Sequence, residues 1–300
     1  MTSRRWSAAA ALLAALVVSV PLLLHAQAQQ RVIYASAVDE KGDPVAGLGT
    51  ADFIVREDKV AREVLNVSEA SEPMDIALLI DNSQAADPYI RDLREGVTAF
   101  INTIAADPRG TKHQVAVITI GERPTINTNY TPDLQQAVKG AQRIFATPGS
   151  GAYMLDGIIE TSKGIKKRES RRPVIIAITT AGVEYSDRFY QSVLDPLRDS
   201  GAAFHVVVVG RPITTDQDRM MVLDLGTSET GGRYDTVLTG TGLTPRLKQI
   251  GNELTHQYKV TYAHPESLIP PDQIVVSTPK QGLTVRGMAE KLTGESGGRR

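Results

Sequence analysis

The sequence contains no cysteine among its 300 residues. This absence excludes disulfides, thiolate zinc sites, cysteine nucleophiles and lipid attachment through a cysteine. An excess of either charge is also lacking, since 33 Lys and Arg residues stand against 34 Asp and Glu residues. The resulting net charge of −1 gives no global field that would favour nucleic acid or an anionic lipid surface. A chain of this length can bury a core large enough to fold without cross-links.

Sequence motifs of the common enzyme classes are missing as well. Four histidines follow residue 28, and none stands in an H-E-x-x-H or other metal-ligand spacing: His113, His205, His256 and His264. The G-x-S-x-G match at 294–298 follows no apolar strand pattern, so it does not mark Ser296 as the nucleophile of a strand-to-helix turn. The segment Gly240-Thr241-Gly242 lacks the rest of a dinucleotide or phosphate loop. We therefore expect no enzyme activity and no catalytic residues, with a hydrolase of unrecognised site as the alternative.

Long apolar runs are absent except near the start of the chain. The apolar stretch 8–24 follows Arg4 and Arg5 and precedes Ala26-Gln27-Ala28, which fits a cleavage site. As a helix it would be about 26 Å long, short of the ~30 Å bilayer core. Residues 1–28 are therefore predicted to be a signal peptide, with a retained anchor as the alternative. An exported protein in the periplasm, in the cell envelope or outside the cell is expected, with no membrane span after cleavage.

One stretch, 74–83, dominates the rest of the sequence. Met74 to Ile80 is an apolar run without alternation, which predicts a strand buried on both faces of a parallel sheet. Asp81, Asn82 and Ser83 follow directly. Open α/β sheets bind their ligands at the carboxyl ends of the strands. The residues after Ile80 are therefore the first candidates for a functional site.

The wider pattern predicts two modules. Residues 73–263 alternate apolar strands with amphipathic helices, which favours an α/β fold with a doubly wound, mostly parallel sheet. Residues 29–72 predict about three short strands separated by turns, and residues 264–290 predict two more. Because three strands alone bury a face poorly, we expect both segments to build one small β-rich module. Residues 291–300 carry no apolar pattern and predict a disordered tail.

Three segments resemble bacterial secreted proteins related to the von Willebrand factor A (vWA) domain. The run MDIALLIDNSQA resembles the first strand and D-x-S-x-S metal loop of that family. Residues 226–262, with Thr-Gly-Gly-Arg-Tyr at 230–234, resemble its last strand-helix-strand, and VDEKGDPV at 38–45 resembles part of a β-module that precedes the domain. The resemblance implies a Rossmann-like fold and a non-enzymatic adhesion or protein-binding function.

The resemblance also implies a metal site built by five side chains from three loops. Aligned with the family motifs, three of those positions are alanine here: Ala85, Ala152 and Ala181. Asp81 and Ser83 are the two that remain. Hard divalent cations take six or more oxygen ligands, so one carboxylate and one hydroxyl make a poor site. We therefore expect no metal ligands and no cofactor.

The candidate binding residues are Asp81, Ser83, Ser150 and Glu184. They lie in or beside the segments 81–87, 148–153 and 181–187, which the fold would bring to one edge. The expected function is metal-independent binding of a protein partner, without nucleic acid. The alternative is a metal-dependent adhesion domain in which Ser150 or Glu184 restores a weak site for Mg²⁺, Mn²⁺ or Ca²⁺.

Overall fold

A computed structural model describes residues 29–211, 216–265, 271 and 273–289. The predicted signal peptide and the predicted tail lie outside these ranges. Within them, no helix has both the length and the apolar character that crossing a membrane requires.

The described chain alternates strands with helices only in its middle. The strands are β1 (Gln29–Val38), β2 (Ile54–Glu57), β3 (Val60–Arg62), β4 (Val64–Glu69), β5 (Asp75–Ile80), β6 (Gln114–Thr119), β7 (Thr125–Thr131), β8 (Pro173–Thr180), β9 (Ala203–Val209), β10 (Tyr234–Val237), β11 (Tyr258–His264), β12 (Ile274–Ser277) and β13 (Thr284–Ala289). The α-helices are α1 (Ile90–Ala105), α2 (Leu134–Gln142), α3 (Met154–Arg168), α4 (Tyr190–Ser200), α5 (Gln217–Glu229) and α6 (Leu243–Thr255).

Six strands form the central sheet of the α/β domain, in the order β10-β9-β8-β5-β6-β7. All pairings are parallel except that of β7 with β6. Helices α1, α2 and α6 cover one face and α3, α4 and α5 the other. Because both faces are covered, residues 76–80 of β5 are fully buried, which explains their unbroken apolar run. The predicted doubly wound sheet is confirmed.

Two antiparallel sheets form the β-rich module, in the orders β13-β1-β11-β4 and β12-β2-β3. They enclose a separate core that includes Phe53, Tyr258 and Tyr262. Both ends of the described chain contribute, since β12 pairs with β2 and β13 with β1. Asp58 and Lys59 form the tight turn between β2 and β3, both with positive φ. The two terminal segments therefore form one module, as the strand count suggested.

One predicted boundary is corrected. The sequence assigned residues up to 263 to the α/β domain, but β11 pairs with β1 and β4 instead. Only His256 and Gln257 separate α6 from this strand. Buried and partly exposed residues alternate along β11, because one face covers the module core and the other does not. The α/β domain therefore ends with α6.

Several local features depart from what simple sequence rules favour. Asp87-Pro88 fits the start of a helix, with Asp as the N-cap and Pro in the first position, but a 3-10 helix at Gln84–Tyr89 precedes α1. Phe145 lies beyond α2 and is exposed, with the Arg94 guanidinium 4.4 Å above its ring. Pro196 lies inside α4 without ending it. Strand β7 and helix α5 were not predicted: β7 is a polar edge strand, and α5 has no clear apolar face.

Candidate functional site

The three predicted loops meet at the carboxyl edge of the parallel sheet. The backbone N–H of Gln84 donates to the Ser150 carbonyl at 3.2 Å, which joins the first loop to the second. The N–H of Ala152 donates to the Val183 carbonyl at 3.0 Å, which joins the second loop to the third. A Cβ added to Gly182 would stand 2.4 Å from the Ala85 Cβ, so the first and third loops are also in close contact.

Asp81 is fully buried, and the neighbouring loops satisfy its carboxylate. Oδ1 accepts from the Ser83 backbone N–H at 2.9 Å. Oδ2 accepts from the backbone N–H and the hydroxyl of Thr180, at 2.9 and 2.7 Å. The Thr179 hydroxyl is a longer third donor to Oδ2, at 3.4 Å. Asp81 therefore fastens the end of β5 to the end of β8.

Asn82, which the sequence analysis did not select, joins the first loop to two others. Its Nδ2 donates to the Phe145 carbonyl and to the Thr147 hydroxyl, both at 3.1 Å. Its Oδ1 accepts from the Gly121 N–H at 2.7 Å. A Cβ on Gly121 would come within 2.8 Å of that oxygen, so only glycine allows the close approach. The sequence feature that could have indicated this linking role is the position of Asn82 between Asp81 and Ser83.

The two serine candidates behave differently. Ser83 is buried, and its Oγ has no hydrogen-bond partner among the described residues. The Ser150 Oγ donates to the Thr147 carbonyl at 2.8 Å, which closes a turn within the second loop. Ser83 is thus the one candidate hydroxyl without a partner, while Ser150 has a structural role.

Glu184 points towards the start of a helix. Its Oε2 accepts from the backbone N–H of Met154, the first residue of α3, at 3.2 Å, and its Oε1 accepts from the Ser186 N–H at 3.1 Å. A carboxylate at a helix N-terminus is favourable because the helix dipole is positive there. Burial nevertheless raises the pKa of Glu184 above its usual range, against the effect of the Ser186 hydrogen bonds and Arg219.

A buried arginine below the third loop is the main feature that the sequence analysis missed. Arg219, in the first turn of α5, donates to the carbonyls of Thr180 and Gly182 at 2.6 and 2.7 Å. It also donates to the Thr179 hydroxyl at 3.0 Å, the same hydroxyl that reaches Asp81. Arg219 therefore holds the third loop by a fixed positive charge. No sequence signal could have found it, because α5 itself was not predicted.

These side chains do not fit a divalent cation well. The described residues contain no group of three or more His, Asp or Glu side chains that could hold a metal ion. The oxygens of Asp81 and Glu184 already accept hydrogen bonds, and Arg219 adds a positive charge beside Asp81 through the shared Thr179 hydroxyl. A cation would have to compete with these donors and with that charge.

Large apolar side chains are exposed around the same edge. Val183 and Tyr185 on the third loop are 60% and 52% exposed, and Phe189 just before α4 is 58% exposed. Leu238, which follows β10 at this edge, is 73% exposed. Exposed apolar side chains mark sites of interaction where they form a contiguous patch.

Comparisons with known proteins identify the fold. No family model matches the sequence, and no curated protein matches it. A solved vWA protein from Catenulispora acidiphila superposes with a TM-score of 0.50 at 11% identity, covering 90% of this chain and 75% of that one. The vWF domain of the type V pili tip protein Mfa5 from Porphyromonas gingivalis matches with a TM-score of 0.47 at 9% identity, covering 61% of this chain and 95% of that one. At such identities the likeness establishes the fold alone.

Proposed function

We propose that this vWA-type chain is an exported, non-enzymatic module that binds a protein partner through the loops at the carboxyl edge of its sheet. The observation that carries the proposal is the exposed apolar surface of Val183, Tyr185, Phe189 and Leu238. Each of these side chains follows a strand or precedes a helix at the same edge. Aromatic side chains in such positions are typical of the centres of protein interfaces.

We further propose that binding needs no divalent cation. Asp81, Asn82 and Arg219 already hold the loops in one arrangement through hydrogen bonds. A surface that is organised before contact loses less conformational entropy on binding. In this proposal the Arg219 guanidinium supplies the positive charge near Asp81 that a metal ion supplies in a cation-dependent domain.

One observation favours a cation-dependent domain as the second candidate. The buried Oγ of Ser83 has no partner in the part of the chain that the structure describes, and an unpartnered buried polar atom needs an explanation. A cation or a water molecule beside Ser83 would satisfy it. The two candidates differ in whether removal of divalent cations abolishes binding.

Site-specific photo-crosslinking tests the proposal. A photoreactive residue is placed at Val183, or at the exposed Lys112 near the opposite end of the sheet, and the protein is mixed with host cell-envelope extract. We expect one crosslinked protein from position 183 and none from position 112, with the same yield in EDTA and in Mg²⁺. Equal crosslinking from both positions would refute binding at this edge. Loss of crosslinking only in EDTA would favour the cation-dependent domain.

A further inference from the structure

A depression of about 500 Å³ opens beside the three loops, between the starts of α3, α4 and α5. Its walls combine aromatic rings with carboxylates, among them Tyr153, Tyr185, Asp187 and Asp218. It lies beside the Asp81 hydrogen-bond network, and neither Asp81 nor Ser83 lines it. The side chains that line the depression therefore differ from those of the Asp81 hydrogen-bond network.

Its aromatic wall is held in place by close packing. The Tyr185 ring lies on Gly151, where an added Cβ would come within 2.6 Å of the ring atoms. The ring also meets Tyr153 edge to face, with centroids 6.1 Å apart and an interplanar angle of 88°. The Tyr185 N–H donates to the Ala152 carbonyl at 2.7 Å, which fixes the backbone. Half of this side chain remains exposed, so a ligand can reach the ring.

The carboxylates of the depression leave negative charge facing outwards. Glu184, Asp216 and Asp218 each accept a backbone N–H in the first turn of a helix: Met154, Arg219 and Tyr190, respectively. Asp216 and Asp218 use only Oδ1 in these hydrogen bonds.

Asp187, which is exposed, makes no hydrogen bond within the described part of the chain.

The single arginine on the wall neutralises this charge only in part. Arg188 is bound by Asp156, with Nε and Oδ1 2.6 Å apart, and its weaker attraction to Asp187 is electrostatic, without a hydrogen bond. A helix N-terminus contributes roughly half a positive charge, so three of them offset only part of four carboxylates. An anion would find these N-termini already capped by acidic side chains. The negative charge of the carboxylates therefore favours a cationic ligand, and the tyrosine rings favour a cation that carries an apolar stem.

We propose that this depression binds an arginine or lysine side chain from an exposed segment of the protein partner. The inference rests on the proposed function and names the chemistry of the partner at the same edge. The cation lies against the Tyr185 ring, and the free carboxylate oxygens of Asp187 and Asp218 receive its N–H groups. The aliphatic stem covers the remaining apolar wall.

Calorimetric titration with a defined peptide tests this inference. The probe is a nine-residue glycine-serine peptide that carries three arginines, and its control replaces each arginine by the neutral isostere citrulline. We expect the arginine peptide to bind about tenfold more tightly than the citrulline peptide, because charge and cation–π attraction are lost together. Asp187→Asn and Tyr185→Leu should each weaken binding about fivefold. Glu160→Gln, which removes an exposed carboxylate from α3, should leave it unchanged.

Equal binding of the two peptides would overturn the inference, as would equal weakening by Glu160→Gln and Asp187→Asn. Gly151→Ala, whose added methyl group displaces the Tyr185 ring, should weaken binding as Tyr185→Leu does. If the peptides bind equally but crosslinking from position 183 persists, the cation site is wrong and the proposed binding edge stands. If crosslinking also occurs equally from position 112, the proposed function itself fails.

Discussion

The two ends of the parallel sheet both bury charged side chains, but they use them differently. At the amino end, buried charges join the α/β domain to the β-rich module. At the carboxyl end, Asp81 and Arg219 hold the first and third loops together while apolar side chains beside them remain exposed. The comparison indicates that the amino end is an internal interface and that the carboxyl end is available for a partner.

Arg172 shows how the amino end is closed. It lies just before β8 and donates to the carbonyls of Glu72 and Leu254 at 3.0 and 2.6 Å. It also donates to Gln257 Oε1, and that side chain donates in turn to the Ser36 hydroxyl on β1 at 3.0 Å. Burial lowers the pKa of Arg172 to about 10. The hydrogen bonds of Arg172 thus join segments of this chain to one another.

Glu253 is the second link at the amino end. This carboxylate, on α6, accepts from Arg286 on β13 at 2.8 Å and from Arg233 before β10 at 3.2 Å. It is buried, and both arginines are partly buried. The Arg286–Glu253 ion pair therefore crosses from the α/β domain to the last described strand of the module, while the Arg233–Glu253 pair lies within the α/β domain.

The largest expected loss of folding stability follows from a substitution at Glu253. Glu253→Gln removes the charged partner of Arg286, while Arg233 keeps its ion pair with Asp235. Breaking a buried ion pair typically costs about 3–5 kcal/mol. The free energy of unfolding from urea titration measures this loss. Glu229→Gln is the matched control, because its ion pair with Arg198 is exposed and should contribute below about 1 kcal/mol. Equal losses in the two variants would refute the role of the amino-end cluster.

A smaller effect is expected at the carboxyl end. Arg219→Met removes the donors to the Thr180 and Gly182 carbonyls and should cost about 2–3 kcal/mol. Amide hydrogen exchange should also accelerate at residues 181–187, because the loop loses its support. Arg123→Met, on an exposed arginine of the loop after β6, is the control and should change stability by less than about 0.5 kcal/mol. Unchanged exchange in the Arg219 variant would contradict preorganisation by this arginine.

The two ends should also respond to pH with opposite signs. Burial lowers the pKa of His205, near the amino-end cluster, to about 4. Because the unfolded histidine binds its proton near pH 6.5, stability should fall as pH drops from about 6.5 to about 4. The pKa of Glu184 is raised, so its ionisation opposes folding at neutral pH and its protonation in acid restores stability.

Unfolding titrations between pH 7 and pH 4 test this contrast. His205→Leu should flatten the loss of stability in that range, because no group with a lowered histidine pKa remains at the site. Glu184→Gln should make the loss steeper, because the compensating protonation is removed. Identical slopes for both variants and for the unchanged protein would show that neither group controls the acid response.

The smallest expected change in folding stability is the one caused by adding divalent cations. If the carboxyl edge binds Mg²⁺ with a dissociation constant of about 10 mM, then ~1 mM Mg²⁺ stabilises the fold by only about 0.06 kcal/mol. A site saturated about a hundredfold would instead give ~2.7 kcal/mol. Thermal melting in chelator and in 5 mM Mg²⁺, Mn²⁺ or Ca²⁺ should therefore give superimposable curves. A shift of several degrees that Asp81→Ala removes would support the cation-dependent alternative.

The candidate site was only partly predictable. The apolar run before Asp81 located the first loop, because a strand buried on both faces has apolar residues at every position. Ser150 and Glu184 lie at the predicted edge, but their hydrogen bonds to Thr147 and Met154 depend on how the loops fold. Arg219 was missed because its helix lacks an apolar face.

By itself the sequence determined the two kinds of sheet, the alternation of strands and helices, and the edge at which the loops lie. These features depend on local periodicity, which each segment carries independently. Only the tertiary structure decided that β11 belongs to the β-rich module and that Arg219 supports the third loop. It also decided that Thr180 donates to Asp81. Such pairings join residues far apart in the chain, and they form only when several elements pack at once, so no local pattern encodes them.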